Sequence, residues 1–189
     1  VGQRTEKRAN IINELRRKGI NVYVRGWNWP DGRASEKEMI EIFSRSKINL
    51  SINDSPNLFE PRYLARLFLR RSLNRVVPSF NFLDNFKSWR GMAIPENKAR
   101  PFELSACNAF VISGYADDLG AFYKENEEMI FYRTTEELIG KIKFYLPMND
   151  DRERIAKAAY ERTLREHTYE KRFREIFEIA GRSLKESPK

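Results

Sequence analysis

At 189 residues, 41% hydrophobic and 13% aromatic, the chain is long enough for one domain with a full core, and its composition excludes a disordered polymer. A formal net charge of +8 and a pI near 9.6 point to an anionic partner: nucleic acid, nucleotide phosphate or lipid surface. One cysteine and one histidine exclude an intrachain disulfide framework and a cysteine-rich zinc site, and no apolar run approaches the ~20 residues that cross a bilayer, so a soluble, cytoplasmic protein is expected.

From about Thr5 to Lys18 the apolar residues Ile11, Ile12 and Leu15 recur at helical spacing, and Gly19 supplies the stop. The helix begins almost at the first residue. A strand ending at Val1-Gly2 would complete a strand–turn–helix unit, so the chain is expected to be a fragment of a longer one. "INVYVRG" (20–26) reads as a strand closed by glycine, and "WNWPDGRAS" as a turn-rich loop. Ser35 with Glu38 forms a capping box for a helix through about Ser46, and "KINLSIN" (47–53) is the next strand. Between about Asp54 and Asn97 the alternation breaks. "EPRYLARLFLRRSLNR" looks helical and "VVPSFNFLDNFKSWRGMAIPEN" is aromatic and irregular, so 55–95 reads as an insertion.

Alternation then resumes with a short helix at 101–107, a strand at 109–113, a short helix near Asp117 to Tyr123 and a strand at 128–133. A helix capped by Thr134 with Glu137 runs to about Tyr145, another spans about 150–166, and a C-terminal helix covers about 168–185. Helices alternating with strands predict an α/β fold, a Rossmann-like parallel sheet flanked by helices in a single domain over 1–189. Ligands of such sheets bind at the carboxyl ends of the strands, which directs attention to residues 2–8, 26–34, 53–55, 96–103, 113–117 and 133–136.

"ENKARPFELSACNAFVISG" (96–114) crosses that edge. Pro101 and Glu103 suit the first turn of a helix, and Glu103 has two readings there. It complements the helix dipole, or it accepts hydrogen bonds from both hydroxyls of a ribose while phosphate oxygens lie near the helix start. Ser105, Ala106 and Cys107 are small enough for close approach of helix to sheet.

"FELSACNAFVIS" resembles the donor-site motif of GT-B glycosyltransferases, in which a Glu is followed by small residues, a Cys-Gly pair and an apolar strand. The flanks are similar to the spore-maturation-type, group 1-like branch of that family. Lys98, Arg100, Phe102 and Glu103 match its Lys/Arg-x-Arg-x-Phe-Glu start, followed in order by "NEEMIFYRTTEELIGKIKFYL" and a closing "EHTYEKRF". The opening "VGQRTEKRANIINELRRKGINVYVRG" also resembles the start of the family's C-terminal domain, and the likeness covers most of the chain outside 55–95.

The resemblance implies the donor-binding, C-terminal half of a GT-B fold, partnered by an N-terminal acceptor-binding domain of the same enzyme and acting on a nucleoside diphosphate sugar. It implies Glu103 on the donor ribose and basic residues near the diphosphate: Arg8, at a position often basic in the family, with Lys98 and Arg100. Such cations would stabilise the charge that builds on the leaving nucleotide. Asn108 stands where the family has Gly, and Pro95 stands at the first position of the Glu-x7-Glu pair of many retaining members. No Asp-x-Asp motif occurs, which argues for a metal-independent enzyme without cofactor. No catalytic residue is assigned, and an inverting base would belong to the other half.

The remaining candidates carry two readings each. Trp27 and Trp29 flank Asn28 at the ligand edge and either stack on a nucleobase or anchor the loop. Tyr132, Arg133 and Thr134 end a strand at the same edge and are candidate base or sugar contacts. His167, the single histidine, reads as packing or capping at a helix junction more readily than as a base. Cys107 reads as a small core residue. Arg62, Arg66 and Arg70, with aromatic neighbours, make 60–75 a candidate contact with a membrane surface or a lipid acceptor, or else a lid or oligomer contact. Two rival functions stay open: a basic nucleic-acid-binding module, and a catalytically silent GT-B-like scaffold. The resemblance itself gives no reason to expect nucleic acid.

Overall fold

The computed structural model describes residues 1–53, 58–72, 75–92 and 98–186. Helix α1 (Glu6–Arg17) starts where Thr5 Oγ1 accepts the Arg8 backbone N–H at 3.2 Å, and it buries Ala9, Ile11, Ile12 and Leu15. The predicted strand at 20–26 is extended but is not a ladder strand. Ile20, Val22 and Val24 pack on the core while Asn21 and Tyr23 stay exposed, the period-2 pattern of a strand. Only its end is paired, where the Gly2 N–H donates to the Arg25 carbonyl at 2.8 Å and the Arg4 N–H to that of Trp27 at 2.9 Å. A cavity of about 740 Å³ is lined both by this segment and by residues 46–52, and no backbone hydrogen bond joins the two. Hydrophobic alternation survives without a neighbour; a ladder does not. Gly26 is required here, because with φ 142° a Cβ would lie 2.0 Å from the Gly2 carbonyl oxygen.

Helix α2 (Glu36–Arg45) carries the predicted capping box: Ser35 Oγ accepts the Glu38 N–H and the Glu38 carboxylate accepts the Ser35 N–H. Strand β1 (Asn49–Ser51) follows. The region read as a long helix folds differently. It gives one turn, α3 (Pro61–Leu64), a 3₁₀ turn at Ala65–Leu67, and an antiparallel hairpin of β2 (Leu69–Ser72) and β3 (Arg75–Pro78) with Arg70 opposite Val77. Arginines at 70, 71 and 75 interrupt the apolar stripe a longer helix would need, while Val76-Val77 favours a strand. The stretch read as irregular contains α4 (Phe82–Gly91).

The second half follows the predicted order: α5 (Arg100–Ala106), β4 (Val111–Gly114), α6 (Leu119–Phe122), β5 (Ile130–Tyr132), α7 (Thr135–Tyr145), α8 (Asn149–Glu166) and α9 (Tyr169–Glu186). Strands β1, β4 and β5 form a parallel sheet in that order, with Leu50 opposite Ile112 and Ile112 opposite Ile130. Its two faces are separately covered. Ile112 and Ile130 join Ile12 and Leu15 of α1 and Leu138 and Ile142 of α7, whereas Val111 and Phe131 join Phe43 of α2, Leu104 of α5 and Leu119 of α6. The protein is thus a mixed α/β fold, a Rossmann-like parallel sheet with helices on both sides.

Tyr123 is fully buried in the second cluster. Its hydroxyl lies 2.8 Å from Thr163 Oγ1, which itself donates to the Ala159 carbonyl at 2.7 Å, so the phenol is the donor of that pair. Burial pushes the phenol pKa up. Tyr123→Phe keeps the ring and removes one hydrogen bond, and chemical denaturation should register a loss of about 1 kcal/mol.

Candidate functional site

The carboxyl ends of β1, β4 and β5 meet the amino ends of α1 and α5, and the polar residues of this edge are tied to one another. Arg8, in the first turn of α1, donates from Nη1 to the Gln3 carbonyl at 2.9 Å and from Nη2 to the Ile52 carbonyl at 3.1 Å, beyond β1. Asn53 Nδ2 donates to the Gly114 carbonyl at the end of β4 at 2.7 Å, and its buried Oδ1 finds no partner among the described residues. From β5, the Arg133 guanidinium lies 4.2 Å from the centre of the Tyr115 ring.

Across the cavity stands α5. Glu103 is exposed and pairs through Oε2 with Arg100 Nη1 at 2.8 Å. Arg100 is held besides by the Phe43 ring, 5.3 Å from its guanidinium carbon, and by a 3.4 Å contact to Met39 Sδ. The helix starts at Arg100, one residue earlier than predicted, so Pro101 is its second residue and Glu103 its fourth. Lys98 is half-buried and makes no hydrogen bond or ion pair to a described residue. Arg8, Lys98, Arg100 and Glu103 all line the 740 Å³ cavity. Three cations and one carboxylate therefore surround a partly apolar recess, an arrangement suited to a ligand with both anionic and hydroxyl groups.

Other predicted residues fall elsewhere. Phe102 turns from the cavity into an aromatic group, 5.5 Å from Phe122, 5.4 Å from Tyr123 and 5.3 Å from His167 between ring centres. Trp27 is exposed under the Arg33 guanidinium, while Trp29 lines the cavity and anchors the loop through Nε1 to the Gly2 carbonyl at 3.0 Å. Thr134 is the N-cap of α7, its Oγ1 accepting the Glu137 N–H at 3.2 Å. His167 has its Nε2 3.0 Å from the Phe122 carbonyl and its Nδ1 3.2 Å from Arg172 Nη2, so Nε2 donates to the carbonyl and Nδ1 accepts from the guanidinium. That is a packing role. Burial, then the nearby Glu103 charge, pushes the Cys107 thiol up, the opposite of an activated nucleophile. Pro95 lies outside the described residues.

Asn53 was not singled out by sequence reading beyond its loop. The available signal was its position just after a strand on the ligand edge. Around Thr134, Glu137 accepts the Arg133 N–H at 2.8 Å and pairs with Lys141 Nζ at 2.6 Å, and these contacts, the lysine first, lower its pKa. A carboxylate with a lowered folded-state pKa contributes stability that is present above about 4.5 and is lost as pH falls through the folded value. Glu137→Gln should therefore lower Tm at pH 7, and its gap from the parent should close toward pH 3.

A family described as glycosyl transferase-like matches residues 4–178. The chain belongs to the glycosyl transferase-like family. A solved glycosyltransferase from Rickettsia africae ESF-5 is similar with 13% identity and a TM-score of 0.45, over 97% of this chain and 54% of that one. This glycosyl transferase-like chain thus spans about half the length of that structure. No curated protein matches it.

Proposed function

We propose that the chain is the donor-binding, C-terminal half of a two-domain GT-B glycosyltransferase of the spore-maturation-type branch, cytoplasmic and metal-independent, using a nucleoside diphosphate sugar. The observation that carries this reading is the joint lining by Arg8, Lys98, Arg100 and Glu103 of one cavity, which runs between residues 20–25 and 46–52 to the carboxyl end of β1. Glu103 accepts the ribose hydroxyls with the oxygen it does not share with Arg100. Lys98, the least engaged of the three cations, meets the diphosphate, and Arg100 and Arg8 add positive potential from fixed positions. Cations held in place before reaction stabilise the negative charge of the departing nucleotide without reorganising.

Two features support the reading further. Asn108, which stands for the family's Gly, adopts φ 53°, so the turn after α5 keeps the left-handed geometry a glycine would serve. That weakens the case for a silent scaffold. On α9, Tyr169, Phe173, Ile176 and Phe177 are exposed along one stripe, an apolar face of the kind a second domain would cover.

The test is a thermal-shift panel of UDP, GDP, dTDP, ADP and CMP, with and without EDTA, beside a short single-stranded oligonucleotide. A ligand that binds only the folded state raises Tm by mass action. A selective rise with one nucleotide, unchanged by EDTA, is the expected result. A rise with the oligonucleotide alone would replace this reading with a nucleic-acid-binding module, and no rise at all would favour the silent scaffold.

A further inference from the structure

The segment between Asn53 and Lys98 leaves the sheet at its ligand edge and returns to it beside the cavity, and its described part, residues 58–72 and 75–92, packs chiefly on itself. Its apolar side chains are large and poorly covered. Phe80 is 83% exposed, Leu83 84%, Phe59 76% and Val76 66%. The rings meet only edge-on or in offset stacks, Phe68 with Phe82 at 5.9 Å, Phe86 with Trp89 at 5.7 Å and Phe59 with Trp89 at 6.2 Å, so they form a rim of aromatic surface instead of a closed core. Large apolar side chains exposed together on a water-facing surface mark a contact site.

Charge says what it contacts. Residues 58–92 hold seven Lys or Arg (Arg62, Arg66, Arg70, Arg71, Arg75, Lys87 and Arg90) against two acids (Glu60 and Asp84), a net of +5 out of the chain's +8. Arg70, Arg75, Lys87 and Arg90 are exposed. Arg70 stands opposite Val77 in the hairpin, and Leu83, Lys87 and Arg90 share one face of α4 by their spacing. A second copy of this chain would bring +5 against +5, whereas bulky rings interleaved with arginine fit the headgroup boundary of an anionic bilayer. No helix of the described residues is long and apolar enough to cross a membrane, so the contact is with its surface. We propose that residues 58–72 and 75–92 form a docking face for an anionic membrane surface and hold the chain there. The face stands independently of what the cavity binds.

The experiment is co-sedimentation of the 189-residue chain with vesicles of neutral phosphatidylcholine, or of the same lipid with 30% phosphatidylglycerol as roughly the anionic content of a charged leaflet. Partition onto the anionic vesicles at least about tenfold above the neutral ones, falling at ~0.5 M salt, is expected. Phe80→Ser with Leu83→Ser, and separately Arg70→Glu with Arg75→Glu, should each cut that partition about tenfold or more. All four side chains are exposed, so circular dichroism should show both variants folded. Equal binding to the two vesicle types, binding to neither, or no response to either variant would overturn the proposal. So would a concentration-dependent dimer in light scattering that the Phe80→Ser, Leu83→Ser chain fails to form. None of these outcomes touches the donor reading, which the nucleotide panel decides separately.

Discussion

Glu103→Gln should weaken binding of the stabilising nucleotide by about 10- to 100-fold while leaving the free protein almost as stable as before. A hydrogen bond to a charged group contributes roughly 1.5–3 kcal/mol, which converts to that range of affinity. Of its two carboxylate oxygens, Oε2 faces Arg100 at 2.8 Å and Oε1 has no hydrogen bond or ion pair with a described residue, so on the proposed donor reading Oε1 would accept the ribose hydroxyls. Gln keeps the shape and one carbonyl oxygen but loses the charge that strengthens bonds to both hydroxyls. The pair it breaks is a partly exposed i,i+3 contact, 28% and 43% exposed on the two side chains, and such pairs stabilise a fold by at most about 1 kcal/mol. Arg100 keeps its packing on Phe43 and Met39. Titration calorimetry of parent and variant with the nucleotide chosen by the panel checks this, with Tm of the free proteins as control. An unchanged Kd would remove Glu103 from the donor site and return it to the role of a carboxylate complementing the start of α5.

Local chemistry made much of the fold readable. Ser35 with Glu38, and Thr134 with Glu137, announce helix starts within four residues of sequence, and both caps form as read. Buried strands such as "AFVIS" need no partner information to be recognised as apolar runs. Pairing is another matter. Ile20–Val24 has the alternation of a strand and lacks a backbone neighbour, a fact that lives in the arrangement of other segments. The hairpin of β2 and β3 departs from the helix expected there because Arg71 and Arg75 break the apolar face such a helix would need, while the strand period shows only in the cross-strand pairing.

The candidate site divides along the same line. A motif and an edge rule point to Glu103, Arg100, Lys98 and Arg8, and these four line one cavity. Phe102 belongs to the same motif, but one residue along a helix turns about 100°, which carries its ring to the other side and into the group around His167. Thr134 is chemically able to meet a ligand and spends its hydroxyl on α7 instead. Asn53 carries no motif; its significance lies in a carbonyl 61 residues away in sequence.

Arg152 shows the same limit in the core, and its replacement carries the largest stability effect expected outside the apolar residues. The side chain is only 5% exposed, yet the sequence "NDDRER" reads as a solvated helix start. Its Nη1 donates to the carbonyls of Tyr145 and Leu146, both at 2.6 Å, and its Nη2 to Asn149 Oδ1 at 2.8 Å. Those carbonyls end α7, where the helix leaves acceptors without intrahelical partners and where positive charge is favoured by the dipole. A buried guanidinium at that place therefore closes α7 and fixes the start of α8 against it. Arg152→Met keeps most of the volume and removes every donor, leaving two carbonyls and an amide oxygen to be satisfied by water or not at all. The expected loss is about 2–4 kcal/mol, from roughly 1–3 kcal/mol for each acceptor stranded, with partial relief from water reaching the junction. Arg152→Lys should recover only part of it, because a single ammonium cannot reproduce the planar fork that spans both carbonyls and Asn149. Urea denaturation of the three proteins decides the point. A methionine variant as stable as the parent would mean that the α7–α8 junction is held by Ile139, Ile142 and Ile155 alone, with the arginine a passenger.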